Sequence, residues 1–169
     1  MTHLSGNAIV SDSGLSAAKL LMRRKAPGLV AVLTFVATAS FYGLGSGRAY
    51  DYDSSESVGS FIATGSLLDP FRRQLQFNNH PLFSFIEHVV YAFGGHSESA
   101  LRSLPIIFGA VTVGIVCYWA ANMWGLSAGV TAAALLAANP TFAELSRSVR
   151  GYSLLTLCAV SSTLCSRGS

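Results

Sequence analysis

The chain has 169 residues, of which 51% are hydrophobic and 11% charged, and its mean hydropathy is +0.47. Soluble domains carry charge at roughly a quarter of their positions, so this composition argues against an ordinary soluble globule and for membrane spans. The net charge of +3 is small, and Lys19, Arg23, Arg24 and Lys25 crowd ahead of the first long apolar run with no aromatic surface beside them. That placement reads as a cytoplasmic anchor rather than a nucleic-acid patch.

Residues 1–26 are rich in Ser, Gly and Ala and read as a poorly ordered cytoplasmic tail. They do not read as a signal peptide, because the basic cluster comes late and the apolar run after it lacks a clear small-residue cleavage site. The run 27–46, "PGLVAVLTFVATASFYGLGS", has the length that a bilayer core demands and forms the first span. With its start held inside, residues 47–102 become an extracytoplasmic loop carrying most of the acids.

Within that loop, "YDYDSSES" places Asp51, Asp53 and Glu56 close together. Asp53 and Glu56 have the spacing of a capping box opening a short helix over 54–66, with Val58, Phe61 and Ile62 on one face. The clearest pattern is "NNHPLFSFIEHVVYAFGG". Asn78 or Asn79 can cap it, Pro81 suits a first turn, and Gly94-Gly95 stops it. Leu82, Phe85, Ile86, Val89, Val90 and Phe93 make a helical stripe, with Ser84, Glu87, His88 and Tyr91 off it. At about fourteen residues the segment is short for a span. The expectation is a helix lying along the membrane surface, apolar stripe down and Glu87 on the wet face.

Two more spans follow, 103–123 and 127–145, joined by the tight "WGLS" turn, and "SRSVRGY" returns to the outer side. A last apolar run, 151–165, is short for a span, and the ending "SRGS" reads as cut. The fold class expected is all-α: a polytopic bundle of three or four transmembrane helices, with two short juxtamembrane helices in the extracytoplasmic loop. Cys117, Cys158 and Cys165 lack metal-ligand spacing and read as small membrane-buried residues.

Four polar pieces thus fall on one side of the membrane: "YDYDSSES", "FNNHP", "SALRSLP" and "SRSVRGYSL". In this order they resemble the polytopic lipid-phosphate-sugar glycosyltransferases, the dolichyl-phosphate-mannose protein mannosyltransferases and their bacterial glycosyltransferase-39 relatives. That family has an acidic Asp-Glu pair after the first span, an Asn-His-Pro-Pro-like helix start, an Arg before the next span and an Arg-x-Tyr-x-Leu later. Here stand Asp53, Asn79-His80-Pro81, Arg102 and Arg150-Gly-Tyr152-Ser-Leu154. Two departures are plain: Ser54 replaces the second acid, and Leu82 replaces the second Pro.

The resemblance implies a C-type glycosyltransferase fold. It also implies transfer of a sugar from a polyprenyl phosphate to a protein, lipid or glycan acceptor at the outer face of the cell membrane. Asp53 is the expected catalytic base, with Asp51 as the alternative. Arg102, Arg150, His80 and Tyr152 are the expected substrate-binding residues, since a leaving phosphate needs cationic donors and the Arg fork matches phosphate. Each has a plainer alternative: Asp53 as a cap, His80 as a helix-start contact, the two Arg as interfacial anchors. No metal ligands follow from spacing, although the resemblance admits a divalent metal. Because the family has many more spans, the chain is expected to be an amino-terminal fragment, inactive alone. The competing readings are a small non-catalytic membrane protein or accessory subunit, and a transporter fragment, which lacks a central ionisable residue in any span.

Overall fold

In a bilayer every backbone polar group needs a partner within the protein, and a helix supplies it inside one segment. The computed structural model describes residues 6–45, 52–63, 66–72 and 80–167, with the side chains of 6–24, 53 and 167 left aside. Among those residues the chain is all-helical, with no strand.

Helix α1 (Gly6–Leu44) contains a 20-residue apolar stretch, Lys25–Leu44, long enough to cross a membrane, and the expected span 27–46 falls on it. Residues 6–26, read from composition as an unordered tail, belong to the same helix, which continues through Pro27. Helix α5 (Glu98–Trp124) is the second segment of spanning length. Its 27 residues rise about 40 Å, more than the roughly 30 Å hydrocarbon core. Ser97 caps it, its Oγ accepting from the Ala100 N–H at 3.2 Å.

α5 is the central element: α1, α6 (Leu126–Ala138) and α8 (Tyr152–Arg167) all pack against it. Lipid tails give apolar helices no reason to leave them, so close contact must come from small residues. Ala110, Ala120, Ala121 and Ala133 are buried, and so is Gly129. A Cβ on Gly129 would sit 2.6 Å from the Cys117 carbonyl oxygen and 2.7 Å from the Ala121 Cβ. Gly125 makes the expected turn between α5 and α6 with φ 99°. Cys117 is buried within the protein, and Cys158 and Cys165 are exposed on α8.

The expected span 127–145 is two helices, α6 and α7 (Pro140–Leu145). Pro140 has no N–H and holds the preceding residue out of the helical region. Asn139 accordingly adopts φ −65°, ψ 118°, and its side chain caps α7 by accepting from the Phe142 N–H at 3.0 Å.

Between α1 and α5 lie α2 (Tyr52–Ser57), a π-helical turn (Val58–Ile62), α3 (Asp69–Arg72) and α4 (Pro81–Ala92). α2 starts at Tyr52, which puts Asp53 inside its first turn rather than at the cap of a helix over 54–66. α4 has Pro81 in its first turn and ends before Gly94 at φ 96°, as expected, while Asn78 and Asn79 lie outside the described residues.

The orientation of α4 corrects the sequence reading. Ser84, Glu87 and His88 are buried in protein, with Glu87 0% exposed, whereas Leu82 and Phe93 of the apolar stripe are exposed. The reason is that the polar flank is claimed by neighbouring backbone: the His88 Nδ1–H donates to the Ile62 carbonyl, 2.7 Å away, at the end of the π turn. Glu87 therefore has no wet face.

The helix contact at Gly129 gives a direct test. Gly129→Ala should wedge α6 from α5 and cost about 1–3 kcal/mol of stability, read as a lower thermal midpoint in detergent. An unchanged midpoint would show that the α5–α6 hairpin is not packed this closely.

Candidate functional site

The six residues between α7 and α8, 146–151, gather the other elements at one end of the bundle. Ser146 is fully buried against α5, where Gly109 leaves room for its side chain. The Val149 N–H donates to Ser54 Oγ of α2 at 3.3 Å, and the Val149 side chain packs with Ile62, Phe83 and Leu101. The Arg147 carbonyl takes a 3.5 Å contact from Arg102 Nη1 of α5. Beyond it, Tyr152 meets the His80 ring edge-on at 5.1 Å. All four polar pieces seen in the sequence meet here.

On one flank is a cleft of about 580 Å³ lined by Phe41, Gly45, Arg102, Glu144, Arg147 and Ser148, among others. Arg147 is anchored in it by backbone and rings. Its Nε and Nη2 donate to the carbonyls of Tyr42 and Phe41, each at 3.3 Å, and its Cζ lies 5.2 and 5.5 Å from their ring centroids. A cation on the last carbonyls of α1 adds a partner where the helix ladder ends and complements the helix dipole. The guanidinium lies against Gly45, where a Cβ would fall 2.8 Å from Arg147 Cζ and shift the end of that side chain. Arg102, also buried, pairs with Glu98 one turn back at 2.8 Å. Two guanidinium groups and Glu144 thus line one concave space.

On the other flank, Arg150 Nη1 donates to the Tyr152 hydroxyl at 3.2 Å, with its Cζ 5.5 Å from the same ring's centroid. His80 closes the stack. Burial first, and then the Arg150 charge, lower its pKa below the usual histidine range, so the imidazole is neutral near pH 7. His80 also opens onto an apolar pocket of about 240 Å³ with Gly151, Leu154, Leu155 and Cys158.

The structure therefore brings His80, Tyr152 and Arg150 together and places Arg102 in the neighbouring cleft. Asp51 lies outside the described residues; Asp53 is described only as backbone in the first turn of α2. Its neighbour Ser54 ties that turn to the loop. Among the described residues no three His, Cys, Asp or Glu side chains gather as metal ligands.

Two residues escaped the sequence reading. Arg147 stood in plain view in "SRSVRGY", but its partners are carbonyls of α1, more than 100 positions away. Glu87 was assigned to water. Phe83 and Val90, one turn to either side, both pack in the cluster of Ile62, Leu101 and Val149, so Glu87 shares their inward face. Neither of its carboxylate oxygens has a hydrogen-bond partner among the described residues, and burial raises its pKa to about 8. Its signal was a lone acid in the middle of an otherwise apolar helix.

The family model described as dolichyl-phosphate-mannose-protein mannosyltransferase matches residues 78–167, a stretch that contains His80, Glu87, Arg102, Arg147, Arg150 and Tyr152. No curated protein and no solved structure matches the chain.

Glu87 makes stability depend on pH. Its carboxyl holds a proton up to about pH 8 when folded but loses it near 4.5 when unfolded, so the folded state binds more protons between those values. Its contribution is fully present below about 4.5 and fades as pH rises through 8. Glu87→Gln, neutral and of the same shape, should flatten the fall in thermal midpoint from pH 5 to 8.5 and raise the midpoint at 8.5. Glu87→Arg should destabilise strongly at every pH.

Proposed function

Because the chain belongs to the dolichyl-phosphate-mannose-protein mannosyltransferase family, we propose that it acts in moving a sugar from a polyprenyl-phosphate donor to an acceptor hydroxyl or amine at the extracytoplasmic face of the cell membrane. The observation that carries this reading is the convergence on the 146–151 loop of α2, the α4 start, the α5 start and the end of α1.

The reaction asks for three things. A carboxylate takes the proton of the acceptor as its oxygen or nitrogen attacks the anomeric carbon. The bond from that carbon to the phosphate oxygen breaks, and the electron pair leaves with the lipid phosphate. Cations then stabilise the charge that develops there. Asp53, with Asp51 as the alternative, is the base; Asp53 belongs to the first turn of α2, which Ser54 pins to the loop. Arg102 in the cleft and Arg150 on the other flank are the two candidates for holding the phosphate, since a guanidinium fork matches its oxygens. His80 and Tyr152 line the Arg150 side of the site.

Orientation follows from charge. Lys19, Arg23, Arg24 and Lys25 keep the start of the α1 span in the cytoplasm, and the 20-residue span carries its far end about 30 Å away. The loop and the cleft lie at that far end, next to Phe41 and Gly45.

Three measurements test the reading. Cysteines introduced at 56 and 98 should react with an impermeant reagent from outside, and one at 17 only after lysis; labelling of 17 in intact cells would reverse the orientation. Binding of a short-chain prenyl phosphate mannose to the chain in nanodiscs should weaken at least about tenfold, the loss of one charge-assisted pair, in Arg102→Gln and in Arg150→Gln. In an enzyme preparation containing this chain, Asp53→Asn should cut transfer by about a hundredfold or more with the protein still folded. Full activity in Asp53→Asn together with loss in Asp51→Asn would move the base to Asp51.

A further inference from the structure

His80 and Arg150 both contact one aromatic ring, that of Tyr152. The imidazole meets the Tyr152 ring edge-on at 5.1 Å, and Arg150 both donates to the Tyr152 hydroxyl at 3.2 Å and sits 5.5 Å from the ring centroid. The contact is built rather than incidental, because it requires Gly151. A Cβ there would lie 2.7 Å from His80 Cβ and 2.8 Å from its Cγ, so any larger residue would displace the imidazole. The His80 ring is thus held within reach of a fixed positive charge, at the mouth of an apolar pocket.

We propose that His80 couples the binding of a phosphate diester at Arg150 to the uptake of a proton, so that the occupied site carries more positive charge than the empty one. This rests on the reading of Arg150 as a ligand for the donor phosphate and adds to it a second, conditional donor. The proton comes from solvent and goes to the imidazole; no bond to the diester forms or breaks.

The physical argument is linkage. In the empty site the Arg150 charge opposes protonation of the imidazole and joins burial in keeping it neutral. An anion on Arg150 cancels that repulsion and adds its own attraction, and both changes favour the charged form. Reciprocity then requires that protonation of His80 strengthen anion binding by the same factor. Each unit by which the imidazole's pKa rises corresponds to about tenfold tighter binding at low pH than at high pH.

Among the described residues, the groups around His80 leave few other routes for the proton. Arg150 and Tyr152 face it from the loop and α8, and Cys158 lines the same pocket. On α4 the next titrating groups are Glu87 and His88, both turned into the protein, with His88 bonded to the Ile62 carbonyl.

The test uses the full chain in nanodiscs and methyl geranyl phosphate, a diester with one fixed negative charge and no proton of its own to exchange near neutrality. Calorimetry in two buffers of different ionisation enthalpy counts protons taken up on binding. Wild type should take up a fraction of a proton that peaks between the pKa values of the imidazole in the empty and the occupied site, and should bind about tenfold more tightly at pH 5.5 than at pH 8. His80→Gln should bind as wild type does at pH 8, with no uptake and no pH dependence. A titration of wild type labelled with ¹⁵N-histidine should show the His80 pKa rising when the probe is present, a measurement that does not depend on the variant's folding. Binding without uptake, or uptake that persists in His80→Gln, overturns the coupling while the Arg150 site stands. No binding by wild type, or equal binding by Arg150→Gln, overturns the donor site and the coupling with it.

Discussion

The Val149 N–H to Ser54 Oγ bond, 3.3 Å long and buried, joins the loop before α8 to the helix that carries Asp53. A loop at the end of a helical bundle exposes backbone groups that no helix satisfies, and each must find a partner nearby. The 146–151 segment finds them on other elements: a serine from α2 and an arginine from α5. In return, the Arg147 side chain donates to the last carbonyls of α1. These exchanges fix the distances between pieces of chain nearly a hundred residues apart. Without them the acids after α1 and the cations before α8 would have no fixed geometry.

The cations are divided by environment. Arg102 has a carboxylate partner one turn away, which reduces its net field but leaves its fork oriented. Arg147 is committed to carbonyls and aromatic faces, which holds it still without cancelling its charge. Arg150 leans on a tyrosine ring that also meets a neutral histidine. Arg147 is therefore best understood as a clamp between the end of α1 and the loop, and Arg150 as the cation whose surroundings can change charge.

α4 shows how a membrane environment inverts a familiar pattern. In water an amphipathic helix turns its apolar stripe to the protein and its acids to solvent. Here the polar flank, Ser84, Glu87 and His88, is turned inward and Leu82 and Phe93 are turned outward. Lipid accepts an apolar stripe without cost, whereas a polar group needs protein to receive it. The consequence is a buried acid with a raised pKa beside the cluster that supports the loop. The expected placement of the apolar stripe against the membrane is compatible with this arrangement; the expected wet face is not.

The sequence by itself determined the all-helical class and the two long spans. Composition and uninterrupted apolar length are sums over consecutive residues and need no knowledge of neighbours in space. It also determined the start and stop of α4 and the ordered set of polar pieces that carries the family resemblance, because Pro81, Gly94 and the Arg-x-Tyr spacing act locally. Only the tertiary structure decided which face of α4 is buried, since a stripe is equally visible whether protein or lipid covers it. It alone decided that 127–145 breaks in two, where an Asn cap and Pro140 outweigh an apolar run. The working geometry of the site was likewise out of reach. Arg147 meets carbonyls of α1, Ser54 meets Val149, and His80 meets Tyr152 across Gly151. Such contacts depend on how close helices come, and closeness is set by small residues on several elements at once rather than by any one stretch of chain.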